Sequence, residues 1–220
     1  MRRSPCSLGR RCYGRRRMRG LFVTFEGIDR SGKTTQARLL GDALGDAALG
    51  VREPGGTPAG ERVRDLLKVA RVPLGAEAEA LLFAAARAEL VERVIRPALD
   101  AGRVVVSDRF LDSSLAYQGG ARGLGVEAVE RINRFATGGL LPDLTFLLEI
   151  DPLAAAERAG ESDRFEDEGT ALKRAVLAAY ERLVAADPGR WRRVDATRPP
   201  TEVHAEVLAE VEAARSGARA

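Results

Sequence analysis

Only two of the 220 residues are cysteine, Cys6 and Cys12, and both fall in the first dozen positions. That excludes a disulfide framework and suits a reducing, cytosolic compartment. The single histidine, His204, is far from either cysteine. No Cys/His metal spacing exists, and no Ser–His or Cys–His pair is available for nucleophilic catalysis. No apolar run approaches the roughly 18 residues of a membrane span. The longest candidate, 78–88, is interrupted by Glu79 and Arg87, so no membrane partner is expected. Lysine is scarce too: Lys33, Lys68 and Lys173 are the only three among 35 basic residues. What remains is 45% hydrophobic, ordinary for a globular chain and enough to bury a sizeable core.

The net charge of +3 divides unevenly. Residues 1–20 hold eight arginines and no acid, so the rest carries 27 basic against 32 acidic residues, a balance of −5. Nucleic-acid binding is therefore not expected of the folded part. Residues 1–19 read as a disordered Arg-rich extension and 20–220 as one domain. Three origins of the extension stay open. Met18 as the true start is preferred over a transit peptide or a basic arm for nucleic acid.

The stretch Gly27-Ile28-Asp29-Arg30-Ser31-Gly32-Lys33-Thr34 fits G-x-x-x-x-G-K-[ST], a phosphate-binding loop. The context fits as well. Leu21 to Phe25 is a short apolar run that reads as a buried strand, and Thr35 to Leu44 has helical spacing. Glycines let backbone N–H groups curl round a phosphate, and the helix start adds its positive dipole end. Lys33 is expected to reach the β- and γ-phosphates of a nucleotide, and the Thr34 hydroxyl to ligate Mg²⁺.

Further strands are expected at 48–52, 103–107, 144–150 and 191–194, and helices at 59–70, 77–101, 111–118, 126–137, 152–158 and 170–186. Pro97 should mark a bend and Gly119-Gly120 a loop. Thr201 should cap a last helix. Residues 159–169 are polar and read as a flexible loop. Alternation of strands and helices implies right-handed βαβ units in a three-layer α/β fold with a parallel sheet. Ligands then lie at the carboxyl ends of the strands. The glycine loop, Arg52, Asp108, Asp151 and Asp195 all fall there. Asp108 follows an apolar strand, the position of a metal-holding carboxylate. Arg30, Arg52, Arg87, Arg109, Arg158 and Arg164 are candidate phosphate forks. Phosphoryl transfer needs no covalent nucleophile, only positioning and charge neutralisation.

The segments EGIDRSGKTTQ (26–36), REPGGTPAGE (52–61), LLFAAAR (81–87), DRFLDSSLAYQG (108–119) and PDLTFLLEI (142–150) resemble bacterial thymidylate kinases, from about residue 20 to the C-terminus. The resemblance implies a P-loop NTPase fold of the nucleoside-monophosphate-kinase kind, with five parallel strands and a short lid at about 159–169. It implies direct phosphoryl transfer from ATP to dTMP with Mg²⁺, giving dTDP for dTTP biosynthesis, in a cytoplasmic enzyme that is usually a homodimer. Carried over motif by motif, the nucleotide side comprises Gly27, Ile28, Asp29, Arg30, Ser31, Gly32, Lys33, Thr34, Thr35, Arg158 and Asp195. On the dTMP side, Phe83 resembles the aromatic stacked on thymine and Arg87 the donor to its O4. Ser114 resembles a polar contact to the base, and Tyr117 the ring against the sugar. Gln118 lies in the same substrate motif. Arg52 and Arg109 resemble the arginines on the dTMP phosphate, and Asp29 an acid touching sugar or metal. Thr34, Asp108 and Asp29 form the implied metal set; Lys33, Arg30 and Arg109 the catalytic one. One departure stands out. Many bacterial members have a small residue where Arg30 stands and an arginine inside the lid, whereas 159–163 has none. Two other readings are another P-loop nucleoside kinase, and a nucleotide-binding regulator using the basic extension.

Overall fold

The computed structural model describes residues 19–69, 72–158 and 169–217. The extension, the expected lid and Arg164 lie outside the described residues. Five strands form one all-parallel sheet in the order β2-β3-β1-β4-β5. They are β1 (Phe22–Glu26), β2 (Ala48–Arg52), β3 (Val104–Asp108), β4 (Leu144–Glu149) and β5 (Trp191–Asp195). Side-chain alternation along the strands feeds two cores. Val23, Phe25, Val104 and Val106 face one side, with Leu40, Val176, Tyr180 and Val207. Phe22 and Val105 face the other, with Leu90, Ile95, Phe110 and Val129. The first side is covered by α1 (Lys33–Leu44), α8 (Gly169–Ala186) and α9 (Pro200–Gly217), the second by α3 (Ala76–Leu90), α4 (Arg96–Asp100) and α6 (Val126–Thr137). Sheet order reverses at β1, the switch point at which α/β sheets bind ligands, and the glycine loop leaves the sheet there.

Three helical stretches widen into i→i+5 turns where periodicity alone reads continuous helix or loop. The first is Asp65–Val69 after α2 (Pro58–Arg64). The second is Val91–Ile95, between α3 and α4. Pro97 therefore sits in the first turn of α4, where a missing N–H costs little. The third is Leu115–Ala121, after α5 (Leu111–Ser114). The expected loop at Gly119-Gly120 is thus helical. The physical reason is packing: a Cβ on Gly120 would lie 2.5 Å from the Ala179 methyl of α8. Glycine here permits close approach rather than a turn. Gly120→Val should destabilise the fold by about 1–3 kcal/mol, as overpacking does; an unchanged urea midpoint would contradict that contact. The last helix starts at Pro200, so Thr201 lies inside its first turn rather than capping it. Proline's fixed φ suits that opening position.

Candidate active site

The glycine loop joins β1 to α1, and Gly32 enters the helix at φ +100°, a conformation glycine takes without strain. Arg30 also has positive φ, +63°. Lys33 is buried and donates to the Ile28 carbonyl at 2.6 Å and to Ser31 Oγ at 3.4 Å. Burial, and next the Arg109 cation, lower its ammonium to about 8. Thr34 Oγ1 donates to Asp108 Oδ2 at 2.5 Å. The chain end of β3 is thereby brought onto the start of α1.

Arg109 follows β3 with φ +71°. Its guanidinium pairs with Asp29, donates to the Gly27 carbonyl at 3.1 Å and to Ser113 Oγ at 2.9 Å, and lies 5.3 Å from the Tyr117 ring centre. Tyr117 Oη donates to the other Asp29 oxygen at 3.2 Å. Burial alone would raise the Asp29 carboxyl, but Arg109, then Lys33 and Lys68, hold it well below the usual carboxylate range. Arg30 donates to the carbonyls of Ala156 (3.4 Å) and Arg158 (3.2 Å), past the end of α7 (Pro152–Ala156). Arg158 returns the contact to the carbonyls of Arg30 and Ser31, both at 3.3 Å, and binds the Ala196 carbonyl.

These groups line a cleft of about 850 Å³ at the carboxyl edge of the sheet. It carries eight cations (Arg30, Lys33, Arg52, Arg64, Lys68, Arg109, Arg158, Arg198) against three acids (Asp29, Glu53, Asp108). A site of net charge +5 in a body of net −5 is built for polyanions. Arg52 is half exposed and held by Glu61 at 3.2 Å. The Gly56 N–H, and then Arg52, keep the Glu61 carboxyl lower than usual.

A narrow second cavity, about 40 Å³, adjoins the cleft through Asp29, Glu53, Lys68 and Arg109. It is lined by Phe83, Arg87, Ser114, Tyr117 and Gln118, so the whole expected base-side set converges. Arg87 is 1% exposed. Its Nε donates to Glu53 Oε2 at 2.7 Å, Nη1 to Ser114 Oγ at 3.2 Å and to Asn133 Oδ1, and Nη2 to the Phe110 carbonyl at 3.2 Å and to Glu53. All three nitrogens are thus engaged by protein acceptors. An incoming carbonyl has to compete for one of them.

Three expected residues are not on the cleft lining. Gly27 and Ile28 present their carbonyls to Arg109 and Lys33. The Asp195 carboxylate is turned to the Thr197 N–H (2.9 Å) and Oγ1 (2.6 Å), whereas Ala196 and Thr197 themselves face the cleft. Asp151 instead caps α7 through the Leu153 N–H at 2.8 Å. Sequence reasoning missed Arg64 and Lys68. Their four-residue spacing, which puts both on one helix face, was the available signal. It missed Glu53, whose Oε1 is buried and accepts no hydrogen bond among the described residues.

It also missed Glu26, fully buried behind the glycine loop. Its carboxyl accepts from the N–H groups of Phe110 (2.8 Å) and Ser113 (3.3 Å), from Ser113 Oγ (2.5 Å) and from Tyr180 Oη (2.7 Å). It therefore anchors the segment that carries Arg109. Burial, and then the Asp112 carboxylate, raise it to about 7 from 4.5. Between those values the folded chain binds more protons than the unfolded one, so this group's contribution to stability falls as pH rises. From pH 8 to pH 5 the wild type should gain about 2 kcal/mol relative to Glu26→Gln, which stays neutral. Urea midpoints tracking in parallel across that range would refute the assignment.

A parallel sheet reversing at β1, a glycine loop with lysine and threonine, an oxygen pair beside it and an adjoining narrow cavity fit a P-loop nucleoside monophosphate kinase. A family model for thymidylate kinase matches residues 25–207. The chain is 50% identical over 202 residues to the thymidylate kinase of Halorhodospira halophila, covering 88% of this chain and 94% of that one. It is 46% identical over 200 residues to that of Deinococcus radiodurans (87% and 96%). The crystal structure of thymidylate kinase from Ehrlichia chaffeensis matches with a TM-score of 0.75 at 31% identity, over 88% of this chain and 98% of that chain. The chain belongs to the thymidylate kinase family. It is a dTMP kinase, converting dTMP to dTDP by ATP-dependent phosphoryl transfer.

Proposed function

We propose that the cleft holds the ATP phosphates with Mg²⁺ and that the adjoining slot holds thymine, so that both phosphate chains meet between the glycine loop and Arg109. The observation that carries this reading is the continuity of the two cavities through Asp29, Glu53, Lys68 and Arg109. Ser31, Gly32, Lys33, Thr34 and Thr35 cradle the donor phosphates, with Arg158 on the adenine side. The hydroxyl–carboxylate pair of Thr34 and Asp108 offers the hard oxygen donors that suit Mg²⁺, with Asp29 near it. The ion would neutralise charge on the transferring group.

On the acceptor side, Phe83 stacks on the base and Tyr117 faces the sugar. Arg52 and Arg109 take the dTMP phosphate. That phosphate is already largely ionised at neutral pH, its second pKa being about 6, so no general base is required. Among the Arg87 contacts, the 3.2 Å one to Ser114 is the one a thymine O4 would replace. Arg30 and Lys33 neutralise the transferred group within a single domain spanning 20–220. A homodimer through the α3/α6 face is supported by Phe135, 92% exposed, and Leu81, 55% exposed; light scattering should give twice the chain mass. No helix among the described residues is long and apolar enough to cross a membrane, and a cytoplasmic site of action fits the chemistry. A coupled ADP-release assay with ATP and Mg²⁺ tests the reading. Turnover should prefer dTMP over dUMP, dCMP, dGMP and AMP; comparable turnover with another monophosphate would overturn the base slot.

A further inference from the structure

Gln118, in the slot lining, is backed by a buried acid that has been given no role so far, Glu79. Gln118 and Glu79 are 2% and 1% exposed. Gln118 Nε2 donates to Glu79 Oε1 at 2.8 Å. Arg122 braces the same carboxylate, with Nε at 3.2 Å from Oε1 and Nη2 at 3.3 Å from Oε2. The backbone is fixed too: the Gln118 carbonyl accepts from Leu124 N–H at 3.2 Å and the Tyr117 carbonyl from Arg122 N–H at 2.8 Å. The remaining freedom of Gln118 is a flip of its amide.

Glu79 decides that flip. A carboxylate offers acceptors only, so the opposite orientation would set the amide oxygen against a negative oxygen. The NH₂ group must face Glu79, and the amide oxygen is then left for the slot that Gln118 lines with Phe83 and Ser114. Among the described residues that oxygen accepts no hydrogen bond.

We propose that Glu79 is a specificity-setting positioning residue: by holding the Gln118 amide in one orientation it presents a fixed acceptor to the base, selecting pyrimidines that carry an N3–H. Thymine and uracil carry that donor. Cytosine has a bare acceptor nitrogen at the same place, and two acceptors repel. The inference rests on the slot being the base site.

The test uses the full chain and dCMP as a competitive inhibitor against dTMP, so that weak turnover with dCMP is no obstacle. With Glu79→Gln the neighbour can donate or accept, and the Gln118 amide is free to turn. The selectivity for dTMP over dCMP should then fall roughly tenfold, the scale of one hydrogen bond. The ratio of dTMP to dUMP should hold, since both carry N3–H, and kcat for dTMP should stay near wild type. Arg122→Ala keeps the carboxylate and should keep the selectivity. If all three nucleotides weaken by one factor, Glu79 is merely structural and the proposal fails. Gln118→Met separates the two readings: unchanged dTMP-to-dCMP selectivity there means the slot is not the base site. Should Glu79→Gln fail to fold, NMR of the wild type decides. The Gln118 side-chain NH₂ signals, identified by their loss in Gln118→Met, should hardly move on adding dTMP; a large shift would show them facing the base and overturn the proposal.

Discussion

Arg30→Gly should lower kcat by about a thousandfold or more, the range of arginine fingers, while leaving the protein folded. The substitution is unusually clean. Arg30 sits at φ +63°, a conformation in which glycine is relaxed and a Cβ-bearing residue is strained. The loop backbone that cradles phosphate is therefore retained, and stability should be unchanged or slightly higher. What is lost is a guanidinium lining the cleft, held by the carbonyls of Ala156 and Arg158 just past the end of α7. The dTMP KM should change little, because in the proposed arrangement Arg52 and Arg109, not Arg30, take the acceptor phosphate. Steady-state kinetics of Arg30→Gly beside Arg164→Ala decides the point. Near-normal kcat in the first with a collapse in the second would assign the catalytic charge to Arg164 and refute the role of Arg30.

Much of this site was legible in the chain because its parts are local. The β1–loop–α1 unit is a contiguous motif, and Arg52 and Asp108 follow recognisable strands. Phe83 and Arg87 share a helix face by their spacing of four, and both line the slot. What stayed hidden is long-range. Glu79 stands out in the sequence only as a charge interrupting an apolar run, yet it is buried against Gln118, 39 positions away. Glu53 reads as a loop acid, yet its partner is Arg87, 34 positions on. A charged residue carries no mark of burial until its counter-ion is placed, and periodicity places elements rather than pairs. The widened turns were hidden for a different reason. An i→i+5 turn shifts the apolar stripe by only one residue, and the glycines of 119–120 imitate a loop signal.

The largest stability effect should come from Arg87. Its three nitrogens hold Glu53, Ser114, Asn133 and the Phe110 carbonyl, and so tie α3 to the end of β2, to α5 and to α6. Arg87→Met keeps the length and apolar stem but leaves the Glu53 carboxylate buried without its cation. Breaking one half of a buried pair costs about 3–5 kcal/mol, or roughly 10 °C in Tm for a domain of this size. Burial already pushes the Glu53 carboxyl up, with Arg87 as the opposing influence. Without Arg87 it should rise further, so the variant should recover stability as pH falls, because the folded state then takes up a proton the unfolded state does not. Adding Glu53→Gln should return part of the loss at neutral pH, since a neutral amide does not need a counter-ion. The coupling in this double-mutant cycle is therefore expected to be positive and to shrink at low pH. Additive losses at pH 7.5 would mean that the ion pair is not the bond holding α3 to β2, and that Arg87 acts through Asn133 and Ser114 alone.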